Sequence, residues 1–265
     1  METLLVERGA PLRGVWSITL NRPESRNAMS LQMVRELRTV LTEAQAATDA
    51  RVLVLRGAGG HFCSGGDIRD MAAALGRTTE APEALAEVNA AFGELCVAYA
   101  STGLAVVAVV EGSVMGGGFG LACVADVVLA VPSATFRLPE TSLGVVPAQI
   151  APFLVERLGH AEARRLAVTG ARLDGRAALA LRLVHELHEP AELEGAVSRV
   201  LSDILLCAPG ALAATKALLA RARFEPPASL VPHAAAVFAR AALGPEGTEG
   251  TSAFLQKRKP SWAPA

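Results

Sequence analysis

The chain has 265 residues, of which 51% are hydrophobic and 19% charged; this excludes a disordered segment and allows one large domain with a buried core. Its formal net charge is −1, so no overall basic field exists to recruit nucleic acid or an anionic membrane, and a ligand phosphate needs local cations. The four cysteines, Cys63, Cys96, Cys123 and Cys207, form no CxxC pair, which argues against a metal site or a disulfide framework and fits free thiols in a reducing compartment.

The opening METLLVERGAP carries two acidic residues and no apolar run, unlike a signal peptide. The longest apolar runs, Leu104 to Val110 and Val127 to Val131, fall far short of the ~20 residues that cross a bilayer. The expectation is a cytoplasmic protein. Leu4–Glu7 and Val15–Leu20 read as strands, the second ended by Asn21-Arg22-Pro23. Ser30 reads as an N-cap, with Leu31, Val34, Leu37, Val40 and Leu41 following at helical spacing. Arg51–Arg56 is a buried strand before a turn at Gly57–Gly60. A helix is predicted from about Pro82 to Ala100, a wholly apolar strand over Ala105–Val110, and a further helix opening near Gly117. Val127–Val131 and Thr135–Leu138 are short strands. Strands separated by long helical crossovers predict a parallel sheet. From about Pro190 the chain is rich in Ala, Leu, Arg and Glu, with breaks at Pro209-Gly210, Pro226-Pro227 and Gly244-Pro245. That predicts a set of helices.

Two glycine turns carry the chemistry. His61–Asp67 (HFCSGGD) and Gly112–Asp126 (GSVMGGGFGLACVAD) each follow a buried strand. Glycine there permits unusual dihedrals and close approach of a ligand to backbone. In the second segment a helix starts directly after the glycines, so its first N–H groups lack intrahelical partners. Two such turns brought together can aim two N–H donors at one developing oxyanion. Neither segment fits a Walker loop, and Cys63-Ser64-Gly65-Gly66 lacks the first glycine of a GxSxG elbow, which argues against a Ser-His-Asp hydrolase.

Four blocks, Leu20–Met29, Arg51–Met71, Val106–Ala130 and Phe136–Pro147, together with their spacing, resemble the crotonase (enoyl-CoA hydratase/isomerase) superfamily over nearly the whole chain. The resemblance implies an α/β fold, a spiral of ββα turns over residues 1–200 holding an acyl-CoA site, and a C-terminal helical trimerisation region over 201–265. It implies homotrimers or hexamers, CoA thioester substrates, and neither metal nor separate cofactor. By position, the oxyanion donors are the backbone N–H groups of Gly66 and Gly117. Arg26 and Ala28 fall where the family contacts the CoA nucleotide. Ser64, Gly65, Asp67 and Ile68 lie in the stretch that holds adenine and pantetheine.

Two-glutamate hydratases of this family have one Glu after the GGG turn and another 20 residues later. The second is present here as Glu140, whereas position 120 is Gly. A glutamate in an apolar pocket has a raised pKa, which suits proton transfer near neutral pH. Two readings of Gly120 stay open. One is an isomerase that shifts a double bond with Glu140 as sole base. The other is a hydratase in which Gly120 makes room for a bulky β-substituent. Glu140–Phe153 and Ala161–Gly175 look like the bacterial methylglutaconyl-CoA and isohexenylglutaconyl-CoA hydratases. The ending EGTSAFLQKRKPSWA looks closest to the isohexenylglutaconyl-CoA hydratases of acyclic terpene degradation. The favoured expectation is therefore hydration of isohexenylglutaconyl-CoA, with 3-methylglutaconyl-CoA next; a non-catalytic acyl-CoA-binding protein is the third reading. Gln149 is a polar pocket candidate, Arg137 a candidate for a substrate carboxylate, and Lys257, Arg258 and Lys259 candidates for CoA phosphates. Asp67 and Asp126 are expected to do structural work in their turns, and His61 is expected to be a solvent-facing loop histidine.

Overall fold

The computed structural model describes residues 1–76 and 83–264. Its main sheet has six strands in the order β1-β2-β3-β4-β6-β9. β1 (Leu4–Arg8) pairs antiparallel with β2 (Val15–Leu20). β3 (Val52–Gly57), β4 (Ala105–Val110), β6 (Val127–Ala130) and β9 (Glu186–Leu187) then add in parallel. Every residue of β4 is buried, as a central parallel strand covered on both faces requires. α1 (Leu31–Ala46) starts at Ser30, whose side chain accepts from the Met33 N–H at 3.2 Å, a cap of about 1 kcal/mol. The helix buries Met33, Val34, Leu37, Val40, Leu41 and Ala44 along one face.

A second sheet has the order β5-β7-β8, from β5 (Ser113–Met115), β7 (Thr135–Arg137) and β8 (Arg172–Asp174). Single parallel bridges extend it: Cys63 pairs with Val114, and Met29 with Gly66. The chain thus visits the large sheet, then the small one, then a helix, and repeats. This is the expected spiral of ββα turns. α2 (Ile68–Gly76), α3 (Ala84–Ser101), α4 (Gly117–Val124) and α5 (Ala151–Thr169) follow the turns. The expected first residue of α3, Pro82, lies outside the described residues.

α6 (Gly175–Ala180) and α7 (Pro190–Leu206) come next, and α7 packs on β3 and β6. Position 200, the expected end of the core, falls inside α7, which buries Val200, Leu201 and Leu205. The first break after it is at Cys207–Ala208. α8 (Pro209–Ala222), α9 (Pro227–Leu243) and α10 (Pro245–Leu255) follow, each starting at the proline that the sequence places there. They bury little within this chain: only Leu230 in α9 and Ala253 in α10. No single described helix is long and apolar enough to cross a membrane.

Candidate active site

The first glycine turn is built from the backbone outward. Gly65 has φ +103°, a conformation that favours glycine. Its C=O accepts from the Met29 N–H at 2.7 Å, and the Asp67 N–H donates to the Met29 C=O at 2.9 Å. In an extended strand successive N–H groups point to opposite sides. With Asp67 bonded to Met29, the Gly66 N–H faces the other way, and among the described residues it has no acceptor.

The turn is held from beneath. Arg22 Nη1 sits 2.7 Å from Asp67 Oδ2 and also donates to the Ala28 C=O at 2.7 Å. Asn27, fully buried with φ +58°, accepts from the Arg22 N–H and donates to the Ala58 and His61 carbonyls. Burial alone raises the Asp67 carboxyl, but the Arg22 guanidinium and the Arg69 N–H overcome it and hold the group below its ordinary value.

The second turn lies against the first. Gly116 has φ +48° and donates its N–H to the Arg137 C=O at 3.1 Å. A methyl placed on Gly116 stands 3.4 Å from the Gly65 Cα and 3.1 Å from Glu140 Oε1. Gly65, Gly116 and the Glu140 carboxylate therefore meet at one point. Gly117, the first residue of α4, has no described acceptor for its N–H. The two glycine turns thus meet at Gly65 and Gly116, each the residue before an expected donor.

Glu140 opens a short 3₁₀ turn after Pro139. Its Oε2 is buried and has no hydrogen-bond partner among the described residues. Desolvation raises its pKa, offset only in part by its own backbone N–H. Buried polar atoms almost always have partners, so this oxygen is available to a bound ligand. Two free N–H donors beside an unpartnered protonatable carboxyl can stabilise an enolate and exchange a proton with the carbon next to it.

The sequence pattern of the enoyl-CoA hydratase/isomerase family matches residues 12–264. The chain belongs to the enoyl-CoA hydratase/isomerase family. It is 31% identical over 275 residues to the probable enoyl-CoA hydratase echA8 of Mycobacterium bovis, with 98% of each chain covered. Among solved structures it is 54% identical to Pseudomonas aeruginosa AtuE, with a TM-score of 0.93 over 98% of this chain and 99% of that one. It is 49% identical to an enoyl-CoA hydratase/isomerase from Marinobacter aquaeolei, with a TM-score of 0.93 over 99% of each chain.

Other family positions separate into backbone and side-chain roles. Arg26 has φ +51°, is exposed, and its guanidinium has no partner among the described residues; its C=O accepts from the Ser64 N–H at 3.0 Å. The Ser64 hydroxyl is turned inward and donates to the Ser25 C=O at 2.9 Å. Asp67 is committed to Arg22 and to capping the Arg69 N–H at 2.9 Å, so its side chain has the turn-holding role expected of it. Ile68 is 76% exposed at the start of α2. His61 Nδ1 accepts from the Ser113 N–H, and Asp126 Oδ2 from the Val106 N–H and Lys216 Nζ. Arg137 donates to the Gly170 C=O. Arg258 pairs with Glu249, and Lys259 donates to the Pro264 C=O. Burial pushes the Cys63 thiol up to about 11, so it is no thiolate nucleophile. Among the described residues no three His, Cys, Asp or Glu side chains cluster to hold a metal.

Gly120 and Gln149 differ most from expectation. The space beside Gly120 is taken. A methyl there stands 2.3 Å from Ile150 Cγ2 and 3.4 Å from Phe92 Cζ. Gly120 accommodates a side chain of the protein itself. Gln149 donates to Asn89 Oδ1 at 2.8 Å and packs over Gly93 of α3; no hydrogen bond joins it to Glu140. Phe92 and Ile150 had no signal in the sequence beyond being apolar, because their contacts with α4 span about 28 and 30 positions.

Proposed function

We propose that this chain is a hydratase that adds water across the double bond of a branched, carboxylate-bearing enoyl-CoA, with isohexenylglutaconyl-CoA favoured and 3-methylglutaconyl-CoA next. The observation that carries the chemistry is the orphan Glu140 Oε2 against two glycine turns whose Gly66 and Gly117 N–H groups are free. The thioester oxygen lies between those donors. Water adds at Cβ, the π electrons move to the thioester oxygen, and the two N–H groups hold the enolate. Each donor of this kind lowers a barrier by ~3–4 kcal/mol. Cα then takes the Glu140 proton, giving a tertiary β-hydroxy acyl-CoA.

The water must also lose a proton, and position 120 offers no side chain to take it. The substrate's distal carboxylate, or a water it holds, takes that proton, and exchange with solvent resets both groups. A glutaconyl analogue without the distal carboxylate is then hydrated far more slowly. Equal rates for the two analogues refute that step. The acyl group itself rests on the likeness of Glu140–Phe153, Ala161–Gly175 and the chain ending to the glutaconyl-CoA hydratases. The single carboxylate also favours a second reading, a Δ3-Δ2-enoyl-CoA isomerase, since a 1,3-proton shift needs only one base. An assay with isohexenylglutaconyl-CoA, 3-methylglutaconyl-CoA, crotonyl-CoA and a 3-enoyl-CoA, run beside Glu140→Ala, separates the readings. Hydration of the first two supports the proposal. Turnover of the 3-enoyl-CoA alone makes the chain an isomerase, and CoA-ester binding with no Glu140-dependent turnover makes it a binding protein.

A further inference from the structure

We infer that the contact between Gly120 and Ile150, acting through Phe92, sets the size of the group that the site accepts on the substrate's β-carbon; this rests on the CoA-thioester reading of the site. Gly117 and Gly120 are one helical turn apart and share a face of α4. Phe92 spans them: a methyl on Gly117 stands 3.3 Å, and one on Gly120 3.4 Å, from its Cζ. Phe92 is only half-buried, so its ring reaches the Gly117 donor while part of it remains open. Ile150 lies behind, 3% exposed, with Cγ2 occupying the place where any side chain at 120 begins. The thioester oxygen at the Gly117 N–H and Cα beside Glu140 fix two atoms of the acyl group. Substituents on the next carbon then run along the face of α4 that Phe92 covers. Ile150 Cγ2 and Phe92 Cζ flank the same point, the place of a Cβ at residue 120.

The geometry makes a reciprocal prediction. Gly120→Ala drives a methyl into Ile150 Cγ2 and lowers Tm. Ile150→Ala removes that atom while its Cβ stays 3.4 Å from the new methyl, so the double variant loses less Tm than the two single losses added together. Ile150→Ala alone opens the wall.

Binding tests this without turnover. The probes are butyryl-CoA and a saturated CoA thioester whose branch at Cβ is two carbons longer than 4-methylpentyl, titrated calorimetrically into wild type, Ile150→Ala and Phe92→Ala. The Kd ratio is expected to move about tenfold or more toward the branched thioester in both variants, the scale of a pocket gaining one or two methylenes. A ratio within about twofold of wild type in both folded variants overturns the inference. So does a double variant whose loss of Tm equals the two single losses added together. Wild-type hydration is measured in parallel. If no enoyl-CoA is hydrated but the Kd ratio shifts, the hydratase reading fails and the pocket assignment stands; hydration with an unmoved ratio gives the reverse.

Discussion

Glu140 is held in a protonation balance that costs stability. Its folded pKa lies above the ordinary 4.5, so the native state binds the proton more tightly than the unfolded chain does. Nothing is lost below pH 4.5; above it, stability falls until pH passes the raised value. Glu140→Gln is therefore expected to raise Tm at pH 7–8 and leave it nearly unchanged at pH 4, measured by calorimetry, while kcat drops by about 10²–10⁴-fold. In the wild type, hydration should slow as pH rises through the raised value, because the protonated carboxyl supplies the Cα proton. Glu36 has the opposite sign. Burial raises its carboxyl, but hydrogen bonds from Gln32, the Glu2 and Thr3 N–H groups and the Thr3 hydroxyl bring it down to about 2. Its contribution is complete above pH 4.5 and is lost as pH falls toward 2. Glu36→Gln should cost about 2 kcal/mol at pH 7, read from urea unfolding, and much less at pH 2. Glu140 was legible in the sequence because it sits in a matched block. Glu36 was not, since it is one more glutamate on a helix until the N-terminal strand folds over it.

Among the elements, α4 joins structure to chemistry most directly. Its N-terminus presents the Gly117 N–H. Its C-terminus is covered by Arg157 of α5, which donates to the Ala122, Cys123 and Ala125 carbonyls. A cation there satisfies orphan carbonyls and opposes the helix dipole, up to about 2 kcal/mol when partly buried. Arg157→Ala should therefore lower stability by about 1–2 kcal/mol and reduce kcat, with the pH profile set by Glu140 unchanged; chemical denaturation and pH–rate curves check both. The helix breaks after Pro190 were readable because proline and glycine act locally. β5, β8 and β9 were not, since strands of two or three residues carry no alternation. α5 was obscured by Gly159, which has φ +73° inside it, and by prolines at 147 and 152. The boundary at 200 followed from the family resemblance, and α7, which spans it, packs on β3 and β6.

The whole molecule leaves apolar side chains exposed on its last two helices and in the turn before them. Phe224, Phe238, Leu243, Phe254 and Leu255 are each at least 75% exposed, more than scattered surface residues account for. We propose that copies of this chain cover them as a trimer or a pair of trimers. Sedimentation should give three or six times the chain mass, and Phe238→Glu with Leu243→Glu should reduce it toward one; a wild-type monomer contradicts the proposal. The parallel sheet was legible from the repeated strand–turn–helix order, whereas the spiral followed from the family resemblance, because each turn of chain serves both sheets and short strands carry no pattern that says which. That shared service leaves an alternation along residues 65–67. The Asp67 amide is tied to Met29, whereas that of its neighbour Gly66 is not. In heavy water the free protein should deuterate at 66 well before 67, and a bound thioester should bring the two rates together, as it should slow residue 117.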